Sequence, residues 1–154
     1  MGTDRPGRAD GIERVRDARA RYFDENGLSE AGYRSRWVVL RAGPLPLYLP
    51  NTSSRRRAVP LHDLHHVATG YDTTWTGEAE IAAWELAAGC GRYWAAWSLN
   101  LGAASLGLLI APRRTLRAFR RGRRSGRTLY HQPGFTESLL DLTVAELRRS
   151  LALD

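Results

Sequence analysis

The sequence contains no lysine and only one cysteine. All 23 basic residues of the 154-residue chain are arginine, a usage typical of a GC-rich genome, and 16 acidic residues leave a formal charge of +7. Because Cys90 stands alone, an internal disulfide and a zinc site built from several cysteines are both excluded. The positive charge favours an anionic partner, such as a phosphate-bearing ligand, a membrane surface or a nucleic acid.

Long apolar runs are scarce in the sequence. Residues 1–10 are polar and charged, so we expect a flexible tail rather than a secretory signal peptide. Residues 93–112 are uncharged and reach the minimal length of a span, but Ser98, Asn100 and Ser105 favour a buried core helix. We expect residues 11–154 to form one helical metal-binding domain. A cytoplasmic location is expected, with a peripheral position at the membrane as an alternative.

The apolar pattern predicts a mainly α-helical fold with a short N-terminal β-hairpin and an apolar pocket between helices. Helices are indicated over residues 11–26, 60–68 and 78–88, and a last helix is indicated from Thr143. Pro60 suits a first helical position and Gly70 suits the residue that follows a helix. Around Trp37 the chain becomes β-branched and apolar, which is typical of a strand.

Two histidines and two carboxylates lie at a spacing that a divalent metal can use. Each helical residue advances about 100°, so His66 lies about 40° from His62, and Asp63 lies about 60° beyond His66. His65 lies about 60° to the other side of His62, outside that arc. Glu78 follows the next loop, so it would join two helices. The alternative interpretation is ordinary histidines beside a helix N-terminus, where a glutamate is favoured by the helix dipole.

The order His62-Asp63, two residues, His66, eleven residues, Glu78 resembles the metal-binding signature of the coenzyme-Q-four family of ubiquinone biosynthesis. The resemblance extends over residues 51–130. It implies a helical protein with an apolar tunnel for a prenylated ring or similar lipid, which undergoes oxidative decarboxylation. It also implies that the four motif residues hold the metal and take part in catalysis, that the ion is zinc, and that other enzymes of the pathway are partners.

The residue types alone leave several functions open. Two imidazoles with one or two carboxylates suit zinc, iron or manganese. A bound divalent ion can stabilise the charge that develops when carbon dioxide leaves, which favours a metal-dependent enzyme acting on a hydrophobic aromatic or polyketide-like substrate. One alternative is a specialised-metabolite enzyme that catalyses a cyclisation without net redox change. Another is a non-enzymatic lipid-binding scaffold with a structural metal, which can contribute roughly 10 kcal/mol to folding.

Further candidate residues surround the motif. Glu85 lies two turns after Glu78 on nearly the same face, which makes it a candidate catalytic residue that relays a proton or supports a metal ligand. The alternative for Glu85 is an ordinary ion pair with an arginine. Four tryptophans are candidate walls of the substrate pocket, with plain core packing as the alternative: Trp75, Trp84, Trp94 and Trp97.

Eight arginines lie within residues 113–127. Several recur at helical spacing and indicate a basic amphipathic helix: Arg113, Arg117, Arg120, Arg121 and Arg124. This helix is interpreted either as a solvated face or as a contact with an anionic membrane surface or a ligand phosphate. Nucleic-acid binding is the least favoured interpretation, since no nucleic-acid-binding motif accompanies the arginines. A homodimer is a further expectation.

Overall fold

Helices make up most of the part of the chain that the computed structural model describes, which is residues 12–42 and 45–153. The helices are α1 Val15–Asn26, α2 Glu30–Arg34, α3 Ser53–Thr69, α4 Trp75–Ala88, α5 Trp94–Ile110, α6 Pro112–Ser125, α7 Ser138–Asp141 and α8 Val144–Ser150, with a 3-10 turn at Leu129–His131. The predicted mainly helical class is confirmed. The predicted tail at residues 1–10 lies outside the described residues.

Two strands, β1 Trp37–Ala42 and β2 Leu45–Pro50, pair in antiparallel register between α2 and α3 along the chain. Trp37 lies opposite Pro50, and Ala42 lies opposite Leu45. Proline cannot donate to a ladder, and a two-stranded pair consists of edge strands alone, where proline is tolerated. Gly43 and Pro44, which connect the strands, lie outside the described residues.

Helix α3 begins before the position that the sequence predicts. The Thr52 side chain accepts a hydrogen bond from the backbone N–H of Arg55 at 3.2 Å and so caps a helix that starts at Ser53. Pro60 therefore lies inside α3 rather than in its first turn, and the predicted start at residue 60 is wrong. The predicted end is confirmed, because Gly70 has a φ of 76° and follows the last helical residue.

Helix α4 is the element against which both α5 and α6 pack. Small residues allow this close approach. A Cβ atom on Gly107 of α5 would lie 2.5 Å from the Cβ of Ala79, and a Cβ on Gly122 of α6 would lie 2.3 Å from the carbonyl oxygen of Trp84. The close contacts hold α4 in place, and α4 carries Glu78 and Glu85 toward α3.

The core joins α3 to both ends of the chain. Val15 of α1, Leu61 and Leu64 of α3, and Leu147 of α8 are all fully buried in one cluster. The predicted cap of the last helix is confirmed, because Thr143 accepts from the backbone N–H of Glu146 at 3.2 Å. This packing fixes α3 against α1 and α8, and so fixes the direction in which the α3 histidines point.

Helix α5 differs from the buried core helix that its composition predicts. Its buried residues are mainly small, and its large apolar residues are exposed. Trp94, Trp97, Leu101, Leu108 and Ile110 are all exposed, so they neither wall an enclosed cavity nor pack in the core. Within the described residues, no helix combines the length and the apolarity needed to cross a bilayer.

Candidate metal centre

Three predicted ligands come together where α3 faces the first turn of α4. His62 and His66 lie one turn apart on α3, and their Nε2 atoms are 3.2 Å apart. Glu78 places Oε2 at 3.6 Å from His62 Nε2 and Oε1 at 3.4 Å from His66 Nε2. One donor atom from each residue can be chosen so that all three lie within 4.8 Å of one another. The local spacing in the sequence thus leads to a convergent group of two imidazoles and one carboxylate.

The other ring nitrogen of each histidine is already engaged. His66 Nδ1 donates a hydrogen bond to the carbonyl oxygen of Tyr71 at 2.8 Å, and His62 Nδ1 donates to Glu85 Oε1 at 2.8 Å. A carbonyl and an ionised carboxylate only accept, so the proton of each neutral ring is on Nδ1. If both rings are neutral, the two Nε2 lone pairs face each other at this distance. A proton on one Nε2 atom, or a metal ion beside both, relieves that contact.

The spacing of the donor atoms fits a metal ion. Two nitrogens bonded to a tetrahedral zinc ion at about 2.0–2.1 Å lie about 3.3 Å apart. The two Nε2 atoms are 3.2 Å apart. His66 is buried, whereas the Glu78 side chain is 38% exposed, so the group is open to solvent on the Glu78 side. The donor types also suit iron or manganese.

The charged forms of His62 and Glu78 stabilise each other. Burial lowers the pKa of His62, but the charge of Glu85 and hydrogen bonds to Glu78 and Glu85 raise that pKa well above its ordinary value. Burial also acts on Glu78, where it raises the pKa of the carboxyl. Hydrogen bonds from His62 and His66 outweigh that effect and lower the pKa to about 2. Glu78 is therefore an ionised carboxylate at neutral pH.

Asp63, predicted as a fourth ligand, is not part of the convergent group. Its carboxylate is buried and accepts a hydrogen bond from the hydroxyl of Tyr33, which lies on α2. Burial raises the pKa of Asp63, although the charges of His62 and His66 and the Tyr33 hydrogen bond act to lower it. Asp63 therefore does not supply one of the converging donor atoms. The sequence offered no sign that Tyr33 would be its partner.

Glu85 is fully buried and accepts hydrogen bonds from side chains on three other elements. Its donors are His62 and His65 of α3, Asn100 of α5 and Tyr130 of the 3-10 turn. Burial raises the pKa of Glu85, but the charge of His62 and the bonds from both histidines hold the pKa well below its ordinary value. Among the described residues, no arginine contacts Glu85, so the predicted arginine-pair alternative is wrong. Glu85 supports His62 instead.

His65 is confirmed as the histidine outside the arc. Its Nε2 accepts a hydrogen bond from the backbone N–H of Leu129 at 2.9 Å, so its proton is on Nδ1, which donates to Glu85 at 2.6 Å. Burial lowers the pKa of His65, which favours the neutral ring. His65 thus links α3 to α4 and to the 3-10 turn.

The structure does not bring the four predicted pocket tryptophans together. Trp84 is fully buried, and its ring packs edge-on against His65 at a centroid distance of 5.2 Å. Trp75, Trp94 and Trp97 are exposed. Trp84 is therefore a core residue, as the packing alternative proposed.

A cleft of about 770 Å³ adjoins the candidate metal centre through His66. The Tyr22 ring of α1 stacks on the His66 ring with centroids 5.4 Å apart, and Asn26, Tyr71 and Asp72 also line the cleft. None of the four tryptophans lines it. Its many polar side chains differ from the apolar pocket that the sequence predicts. The sequence gives no sign that Tyr22 lies at the site, because its nearness to His66 depends on the packing of α1 against α3.

Comparisons of the chain with protein-family models, with curated proteins and with solved structures find no match. The resemblance to the coenzyme-Q-four family therefore rests on the motif residues of the sequence.

Proposed function

We propose that this protein is a metal-dependent enzyme whose divalent ion, zinc in preference to iron or manganese, is held by His62, His66 and Glu78. The observation that carries the proposal is the distance of 3.2 Å between the two Nε2 atoms. In both rings the Nδ1 atom is already hydrogen-bonded, to Tyr71 or to Glu85. Histidines that bind a metal usually have their ring orientation fixed in this way, because they donate their other N–H to a carboxylate or a carbonyl.

The exposed side of the centre supports a catalytic role over a structural one. Structural zinc sites are closed by four protein ligands, whereas catalytic sites keep a position for water or substrate. Here three side chains converge, and the Glu78 side chain is partly exposed. When bound, the ion would supply Lewis-acid chemistry that polarises a carboxylate or phenolate oxygen. Glu85 orients the His62 ring through the hydrogen bond to Nδ1.

The family resemblance supports an aromatic substrate and chemistry of the oxidative decarboxylation or hydroxylation type. The polar lining of the cleft beside His66 favours a second candidate. Polar side chains recognise an oxygen-rich aromatic acid or polyketide-like molecule better than a prenylated ring. Such a substrate fits a tailoring enzyme that catalyses a cyclisation without net redox change. The two candidates share the proposed metal centre and differ in substrate and in whether the substrate is oxidised.

Elemental analysis of the purified protein tests the metal centre. We expect about one equivalent of metal in the wild type, loss of that metal in His66→Ala, and retention in His131→Ala, a matched variant of a histidine outside the group. Because His66 is buried, Glu78→Gln serves as a second variant at a partly exposed ligand. Absence of metal from wild-type protein supplied with zinc, iron and manganese would contradict the proposal.

Glu78→Gln protein that stays folded but loses turnover would separate an enzyme from a scaffold.

A further inference from the structure

Helix α5 is apolar on the outside. Its buried residues are Ala95, Ala96, Asn100, Ala104 and Gly107. Its exposed large apolar residues are Trp94, Trp97, Leu99, Leu101, Leu106, Leu108, Leu109 and Ile110. A helix that packs on a core from one side normally shows the reverse pattern, with its large apolar residues facing the core.

The close packing of α5 on α4 explains this inversion. A Cβ on Gly107 would lie 2.5 Å from the Cβ of Ala79 and 2.6 Å from Oγ1 of Thr115. The helices are too close for leucines at the contact, so small residues occupy the inner side. Within the described part of the chain, the large residues of α5 therefore remain exposed. Exposed apolar patches of more than a few hundred Å² usually mark a binding surface.

The chain segment that contains α5 and α6 carries charge of one sign. Residues 92–136 contain nine arginines and neither aspartate nor glutamate. Two arginines of α6 have partners within the protein: Arg114, which is exposed, pairs with Glu80, and Arg121 donates to the carbonyl oxygen of Thr69. Besides Arg114, the exposed arginines of α6 are Arg113, Arg117, Arg120, Arg123 and Arg124. Leu116 and Phe119 are exposed among them.

We propose that α5 and α6 together form a surface that docks onto an anionic phospholipid bilayer. The α5 side chains enter the boundary between headgroups and acyl chains, and the exposed arginines of α6 bind headgroup phosphates. Trp94 and Trp97 suit the headgroup level, where tryptophan is enriched. The surface lies on the membrane and does not cross it, in keeping with the length and apolarity of α5.

Charge favours a bilayer over a second copy of the chain as the occupant. Two copies joined through α5 by a two-fold axis would present the same patch to each other. The adjacent α6 helices would then bring two sets of like-charged arginines together, which opposes association. An anionic bilayer satisfies both the apolar side chains and the arginines.

Vesicle sedimentation of the full chain tests the proposal. We expect binding to vesicles that mix phosphatidylglycerol with phosphatidylcholine, and much weaker binding to phosphatidylcholine alone. Leu109→Glu should reduce the binding to mixed vesicles at least tenfold, on the order of the loss of one buried apolar side chain. Ile12→Glu is the matched control, because Ile12 and Leu109 are each 82% exposed and Ile12 lies outside α5. This control should bind as the wild type does.

Two triple variants that remove the same charge test the contribution of the α6 arginines to vesicle binding. Replacing Arg117, Arg120 and Arg124 by glutamine should weaken vesicle binding on the order of a hundredfold, at about 1 kcal/mol for each arginine near the surface. Replacing Arg34, Arg56 and Arg57 by glutamine removes the same charge elsewhere and should have little effect. Equal losses in both triple variants, or no binding of the wild type to mixed vesicles, would overturn the proposal. The proposal would also be overturned if the wild type did not bind vesicles and formed a dimer that Leu109→Glu converts to a monomer. Circular dichroism checks that each variant is folded.

Discussion

His62 Nδ1 donates a hydrogen bond to the buried carboxylate of Glu85 at 2.8 Å, and this bond turns His62 Nε2 toward His66. The carboxylate itself is held by Asn100 and Tyr130, which come from α5 and from the 3-10 turn. The orientation of one candidate metal ligand therefore depends on residues that lie far from it in the sequence.

Glu85→Gln should weaken zinc binding by roughly 10- to 100-fold, because the amide supports the His62 ring less well than a carboxylate. Competition with a chromophoric chelator measures the affinity on folded protein. Glu80→Gln is the matched control, since Glu80 is also a buried carboxylate of α4 but pairs with Arg114. Equal zinc affinities for the two variants would contradict the role given to Glu85.

Cys90 should be inert in the folded protein. Burial and the nearby charge of Glu85 raise the pKa of the thiol to about 12, despite an opposing hydrogen bond from Asn100. The reactive thiolate is thus scarce at pH 8. We expect labelling by a thiol reagent to be slow in buffer and fast after unfolding in guanidinium chloride. Rapid labelling in buffer would show that the thiol is accessible and ionised.

Trp84 and Trp75 should differ strongly in their contribution to stability. Trp84 is 0% exposed, so Trp84→Ala should lower the free energy of unfolding by about 3–5 kcal/mol. Trp75 is 52% exposed, so Trp75→Ala should lower it by about 1 kcal/mol or less. Urea denaturation followed by circular dichroism measures both values. Similar losses for the two variants would contradict the assignment of Trp84 to the core.

Gly122→Ala should destabilise the packing of α6 on α4. The added methyl group would lie 2.3 Å from the carbonyl oxygen of Trp84, so the helices must separate, at a cost of about 1–3 kcal/mol. Gly102→Ala is the control, because Gly102 lies in α5 with nothing within 4 Å of the added atom. Alanine suits a helix better than glycine, so this control should gain about 0.5–1 kcal/mol. Thermal melts of both variants measure the two opposite shifts.

The local parts of the candidate site could be predicted from the sequence. The spacing of His62 and His66 places them one turn apart on any α-helix. Glu78 follows the Gly70 helix end closely enough to open the next helix beside them. Each of these relations depends on backbone periodicity and on residues near in sequence. The same holds for the Thr143 cap, which involves only the first turn of α8.

The tertiary structure alone decided which neighbours each side chain meets. Asp63 shares a helix with both histidines, yet its position facing Tyr33 keeps it out of the convergent group. The partners of Glu85 come from separate elements that the sequence does not relate.

The same limit applies to α5. Its composition indicates a hydrophobic helix, but composition does not determine which side of the helix packs against the rest of the protein. The narrow space beside α4 selects the small residues for the inner side and leaves the leucines outside. Local periodicity thus determined the helices and the histidine pair, whereas packing distances determined the ligand set and the exposed surface.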